Sequence, residues 1–150
     1  MLTAKGKYSL KALAHLAKLK PAELAQSVDI AETNQIPKKF LDAILGELRN
    51  AGFVYSRKGP SGGYRLAREP GRIKIGHVIR AIDGPLAPIA CASRTAYQPC
   101  DDCKSVEACT VRLTMARVRD AMSEVLDRMS LADMVGSASR RRRARTRSVR

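Results

Sequence analysis

The chain has 150 residues, is 45% hydrophobic with 4% aromatics and no tryptophan, and carries a formal charge of +14. That length suits one domain with an appendage, its core must be filled by aliphatic side chains, and no apolar run is long enough to span a bilayer. Seven arginines among the last eleven residues carry half of the charge, so the rest of the chain is basic in its own right and points to a polyanionic partner, most often nucleic acid.

Residues 3–19 read as a first helix, capped by Thr3, with Leu10, Leu13, Ala14 and Ala17 at helical spacing. Lys5, Lys7 and Lys11 crowd its first half, where cations oppose the helix dipole; a phosphate partner would offset that. Lys20-Pro21 breaks the pattern. One or two short helices follow within 22–35, with Ser27 as a cap for Val28 to Asn34. Ile36-Pro37 opens the next helix, in which Leu41, Ile44, Leu45 and Leu48 form an apolar stripe and Gly52 stops the run. Two short helices joined by a tight turn, the second with a basic start, make a helix-turn-helix pattern.

The following segment strengthens it. Residues 53–58 alternate like a strand, Gly59-Pro60-Ser61-Gly62-Gly63 is dense turn chemistry, and Tyr64 to Ala67 alternate back. A hairpin directly behind the second helix makes a winged helix. Lys38, Lys39 and Phe40 would present the helix start to base edges in the major groove. Arg57, Lys58 and Arg65 would lay cations on the phosphate backbone, joined by Lys5. Ile75, Val78, Ile79 and Ile82 form a short amphipathic helix ended by Gly84-Pro85. His15 and His77 read as ordinary helix residues rather than ligands.

All four cysteines lie between Cys91 and Cys109, spaced C-x8-C-x2-C-x5-C around Pro99, Asp101, Asp102 and Lys104. Four thiols in a polar loop read as ligands for a soft or borderline metal. Zinc ribbons pair two C-x2-C knuckles; here only Cys100 and Cys103 make one, and the uneven spacing suits an iron–sulfur cluster better than zinc, which stays as the alternative. Disulfides are the bland reading. Met1 to Lys7 open a polar helix with no apolar signal segment behind it, which argues for the cytoplasm, where thiols stay reduced.

A long helix is expected over 110–129. Val111, Met115, Val118, Met122, Val125 and Met129 step by four and three, a heptad seam too long to leave uncovered, which suggests a two-fold homodimer, with part of the helix packing on the first helix. Residues 130–135 are a short end piece and the Arg-rich 136–150 read as disordered.

The opening Leu2 to Tyr8, the runs Leu48 to Val54 and Arg57 to Leu66, and Val78 to Gly84, followed by the cysteine loop and the long helix, resemble the Rrf-type family of bacterial transcription regulators, which includes IscR-like and NsrR-like proteins. The resemblance covers nearly all of residues 1–135. It implies a dimeric winged-helix binder of double-stranded DNA, many of whose relatives hold an iron–sulfur cluster on three cysteines near the dimer helix. That pattern falls on Cys91, Cys103 and Cys109. The family's usual fourth ligands have no counterpart here: Arg112 stands three residues after the last cysteine, and Lys5 and Lys7 occupy the early acidic position. Cys100 is left as a candidate fourth ligand.

The expected organisation is mainly α with a small β-hairpin wing: a DNA-binding unit over 1–84, a cluster- or metal-binding loop over 85–109, a dimerisation helix and end piece over 110–135, and the tail. The expected function is a transcriptional regulator, a repressor in sense, whose DNA affinity is set by a 2Fe-2S or 4Fe-4S cluster. The rivals are a winged-helix regulator with a structural zinc or a thiol switch, and a basic RNA-associated protein. An enzyme is disfavoured, since no nucleophile–base pair or pocket signature is present.

Overall fold

The helix-turn-helix stripe read from Leu41, Ile44, Leu45 and Leu48 is the centre of the core, and all four side chains are buried. The computed structural model describes residues 2–147, with the backbone alone for 143 and 145–147. Among these residues six helices and one hairpin follow in order: α1 (Ala4–Leu16), α2 (Ser27–Asn34), α3 (Lys38–Asn50), β1 (Val54–Arg57), β2 (Gly63–Leu66), α4 (Ile75–Asp83), α5 (Thr110–Arg128) and α6 (Leu131–Arg147). Leu13 of α1, Ile30 of α2, Val78 of α4 and Leu131 of α6 complete one continuous core, aliphatic as the composition requires.

Thr3 caps α1, accepting from the Gly6 amide at 3.1 Å. The helix stops at Leu16, three residues short of expectation, and bends through single-turn hydrogen bonds from Lys18 and Leu19. Ser27 lies inside α2; the capping position is Gln26, which makes no side-chain cap. Gln35, in the left-handed conformation at φ 54°, turns the chain between α2 and α3. Strands β1 and β2 are antiparallel, with Val54 opposite Leu66 and Arg57 opposite Gly63.

The long helix departs from expectation in its neighbours. Within the chain α5 packs on α4 and on the Cys91 turn, and α6 occupies the surface of α1. Val111, Val118 and Val125, seven residues apart, are exposed, whereas Met115, Met122 and Met129 are half-buried. No residue of α5 is fully buried. The corner between α5 and α6 is clasped to the start of α4: Ile75 donates to the Met129 carbonyl at 2.9 Å and Leu131 to the Ile73 carbonyl at 2.8 Å.

Arg80 of α4 and Asp127 of α5 form a two-pronged ion pair at 2.6 and 2.9 Å. Gly76 makes room for it, since a Cβ there would sit 2.0 Å from the Asp127 carboxylate. Gly76→Ala should therefore break the pair or part the helices and destabilise the fold by about 1–3 kcal/mol, read by thermal unfolding. The Arg80 hydrogen bonds hold the Asp127 carboxyl below its usual range. The pair's stabilisation is thus present above the ordinary aspartate pKa and is lost as pH falls through the depressed value. Asp127→Asn should flatten that acid limb of the stability profile.

The stretch from Gly136 is not disordered over the described residues: α6 runs on to Arg147, and only 148–150 of the expected tail lie outside the description. The start of α6 is a capping box. Ser130 Oγ accepts from the Asp133 amide at 3.1 Å, while the Asp133 carboxylate accepts from the Ser130 amide at 2.9 Å. Alanine and arginine are good helix formers and carry the helix onward. Asp133→Ala should lower the thermal midpoint and speed amide exchange in the first turns of α6.

Candidate metal centre and nucleic-acid interface

The cysteine loop leaves α4 at Gly84 and turns through a short 3-10 segment, Ala90–Ala92, that places Cys91 in a buried position against α5. Two arginines one heptad apart on α5 fix this turn. Arg112 Nε donates to the Cys91 carbonyl at 2.9 Å, and Arg119 donates to the Ala92 carbonyl. At the other end of the loop Cys109 is the N-cap of α5, its sulfur accepting from the Arg112 amide at 3.5 Å. The helix therefore anchors both the first and the last cysteine.

Between them the thiols converge. Cys100 and Cys103 lie with Asp102 in one group, Cys91 and Cys109 flank it as electrostatic neighbours of Cys100 and Cys103, and none of the four is in a disulfide. The hydrogen bond to Cys91, then burial and Cys103, push the Cys100 thiol up to about 12. Cys103 is raised chiefly by its bond with Cys109. Cys109 is lowered, because the Arg112 amide points at its sulfur. Of these three, Cys109 ionises first.

Cys100 is thus no bystander: it links Cys91 to Cys103. Asp102 joins them, with one ligand atom each of Cys100, Asp102 and Cys103 within 4.8 Å of one another. Soft sulfur donors gathered in this way fit a thiolate-bound metal or cluster, and the carboxylate adds a harder donor at one edge. By sequence alone Asp102 is one of the polar residues of the loop, and Arg119 is not singled out. The Cys-Asp-Asp-Cys spacing was the available sign of the first. Nothing local marks the arginines.

The expected DNA-reading residues fall on one helix start and one hairpin. Lys39 and Phe40 are exposed at the first turn of α3, Phe40 to 61%. Lys38 pairs with Asp42 one turn on, at 2.8 Å, as exposed helix pairs do. Arg57 donates to the Ser61 carbonyl across the turn at 2.8 Å, Lys58 is exposed, and Arg65 stacks over the Tyr55 ring at 4.6 Å. The hairpin is tied to the body by two hydrogen bonds between Ala25 and Tyr64, at 2.9 and 2.8 Å. A Cβ on Gly63 would meet the Ala25 carbonyl at 2.7 Å, which explains a glycine there. Lys5 stands apart from this set. It bonds Glu47 of α3 at 2.9 Å, because packing of α1 on α3 brings the two together, so its charge is met inside the chain.

Comparison with known proteins decides the family. Residues 2–137 match Rrf2, described as an iron-dependent transcriptional regulator. The chain belongs to the Rrf2 family. An Rrf2-like helix-turn-helix transcriptional regulator of Rhodobacter capsulatus is 43% identical over 93% of this chain and 95% of its own. Among solved Rrf2-family structures, CymR, the global cysteine regulator of B. subtilis, superposes with a TM-score of 0.74 at 33% identity, covering 91% of this chain and 97% of that one. IscR of T. potens gives 0.69 at 30% identity, over 92% and 88%. The Rrf2 relatives and neighbours are transcriptional regulators, not enzymes, and DNA is the partner the family supports. No helix among the described residues is long and apolar enough to cross a membrane.

Proposed function

We propose that this Rrf2-family chain works in the cytoplasm as a homodimer that represses transcription by holding double-stranded operator DNA, and that an iron–sulfur cluster on Cys91, Cys100, Cys103 and Cys109 controls its affinity. The observation that supports the reading is the grouping of Cys100, Asp102 and Cys103 between Cys91 and Cys109, on a loop that α5 anchors at both ends while exposing a heptad row of valines. When bound there, a cluster supplies an electron-accepting, chemically labile centre. The chain's own residues do the rest. Arg112 and Arg119 hold the Cys91 turn against α5, so a change in the positions of Cys91 and Cys109 is felt by the helix backbone itself. The Arg80–Asp127 pair passes it to α4 and the core behind the α3 reading head. Lys38, Lys39 and Phe40 face base edges, while Arg57, Lys58 and Arg65 hold phosphates. A bound group shifts such an equilibrium only by its differential affinity for the two arrangements.

Purification without oxygen tests this. A brown protein with iron and acid-labile sulfide in equal amounts is expected, with an altered affinity for its operator once the colour is bleached. Asp102 beside Cys100 and Cys103 favours a second reading, a structural zinc or a thiol switch. A colourless protein holding zinc, or no metal and a reversible disulfide, would establish that reading and defeat the first.

A further inference from the structure

The family match ends at residue 137, yet α6 continues for ten residues beyond it. Those ten residues include Arg140, Arg141, Arg142, Arg143, Arg145 and Arg147 and no acidic residue. We propose that the end of α6 is a second nucleic-acid contact, a helical arm that grips the phosphate backbone of duplex DNA flanking the operator. This rests on the reading of the chain as a DNA-binding regulator and adds to it a surface outside the winged helix.

Three observations carry it. First, the arginines stand on a helix anchored to the body rather than on a loose tail. Leu131 is fully buried, the Ser130–Asp133 box fixes the first turn, and Met134 and Val135 pack on the core. Second, that anchoring sets the base of the arm against α1, the helix that also bears the α2–α3 turn. Met134, Ala138 and Arg142 of α6 line one crevice of about 390 Å³ with Ala14 and Lys18 of α1. The same half of α1 is tied to the α2–α3 turn, where Asn34 bonds His15 at 3.1 Å and the Asn34 carbonyl accepts from Lys11 at 2.5 Å. Third, the charge pattern is unfavourable without a counter-charge. Arg140 with Arg143, Arg141 with Arg145 and Arg143 with Arg147 are like charges three or four apart, which repel on a helix. Only the last turn recovers something from the helix dipole. Duplex DNA presents one negative charge per ~1.7 Å of axis and would relieve all three pairs at once. Eight helical residues span ~12 Å, enough to face several phosphates.

The test measures affinity of the full chain for a 40-bp duplex of arbitrary sequence over a range of potassium chloride. It compares three variants: arm arginines 140, 141, 142, 143, 145 and 147 all changed to Gln, the same six changed to Lys, and a head variant with Lys38→Gln, Lys39→Gln, Arg57→Gln and Lys58→Gln. With about three phosphates engaged, the arm-to-Gln variant should lose roughly 2.7 from the log–log salt slope and bind about 10- to 100-fold more weakly at low salt. The Lys variant should keep most of both, since charge and not guanidinium geometry is required. Unchanged slope and affinity in the Gln variant, with binding lost in the head variant, would overturn the arm and leave the operator reading standing. The reverse pattern would uphold the arm and count against the winged helix as the reading head. If the arm's contribution appeared only on structured RNA, duplex DNA would be the wrong partner and the proposal would fall. Thermal unfolding of the Lys variant should match the parent, since it keeps the like-charge pairs, and the Gln variant should be at least as stable, since it loses them.

Discussion

Changing Cys91, Cys100, Cys103 and Cys109 together to alanine should shift affinity for the operator by roughly 5- to 150-fold, the usual span of coupling between two sites, while the dimer survives. The fold should tolerate the change. Cys91 alone is buried, and losing one sulfur there leaves a small void beside the Arg112 and Arg119 hydrogen bonds, which use backbone carbonyls and persist. The other three thiols are half-exposed. Affinity is measured by fluorescence anisotropy on DNA recovered by the protein's own footprint, and assembly by sedimentation. Cys100→Ala by itself separates a three-thiol from a four-thiol site: its position between Cys91 and Cys103 predicts loss of bound metal, and full metal retention would remove Cys100 from the ligand set. Equal affinity of loaded, stripped and four-alanine protein would end the sensing hypothesis.

Placing glutamate at Val118 and Val125 should raise the dimer dissociation constant by about a thousand-fold or more. Each substitution occurs twice about a two-fold axis, so four carboxylates would enter an apolar contact in which a central residue is worth roughly 2 kcal/mol. The subunit itself should be spared, because both valines are exposed and α5 buries no residue completely. Unfolding should move by no more than about 0.5 kcal/mol at such surface sites. Operator affinity should fall by about a hundred-fold or more as two linked half-sites become independent. A variant that sediments like the parent would show that subunits do not meet on this row.

The reading head was legible because its determinants are local. Leu41, Ile44, Leu45 and Leu48 announce their buried face by spacing alone, and Gly59 to Gly63 announce the turn of the wing. The arrangement of the cysteine loop was only half legible. The spacing marks four candidate ligands, but what holds the Cys91 turn in place is a pair of arginines whose reach across 21 and 27 residues has no local signature. The ion pair of Lys5 has no local signature for the same reason, its partner Glu47 lying on another helix. The α6 helix was overlooked although its signs were present. Ser130 and Asp133 form a capping box, and Leu131, Met134, Val135 and Ala138 repeat the helical stripe. The arginine run outweighed them, since composition reads such runs as unstructured. A buried anchor at the front of the helix overrides that preference.

All four sulfurs come from a single polypeptide. If they form the proposed site, that pocket is completed within one molecule and fills at a rate first order in protein, so with the metal source held in excess its loading half-time should not change as the protein is diluted. Two such molecules paired about an axis can also exist with one pocket full and its twin empty. Gene control by this protein would then step through three occupancy levels instead of toggling between two.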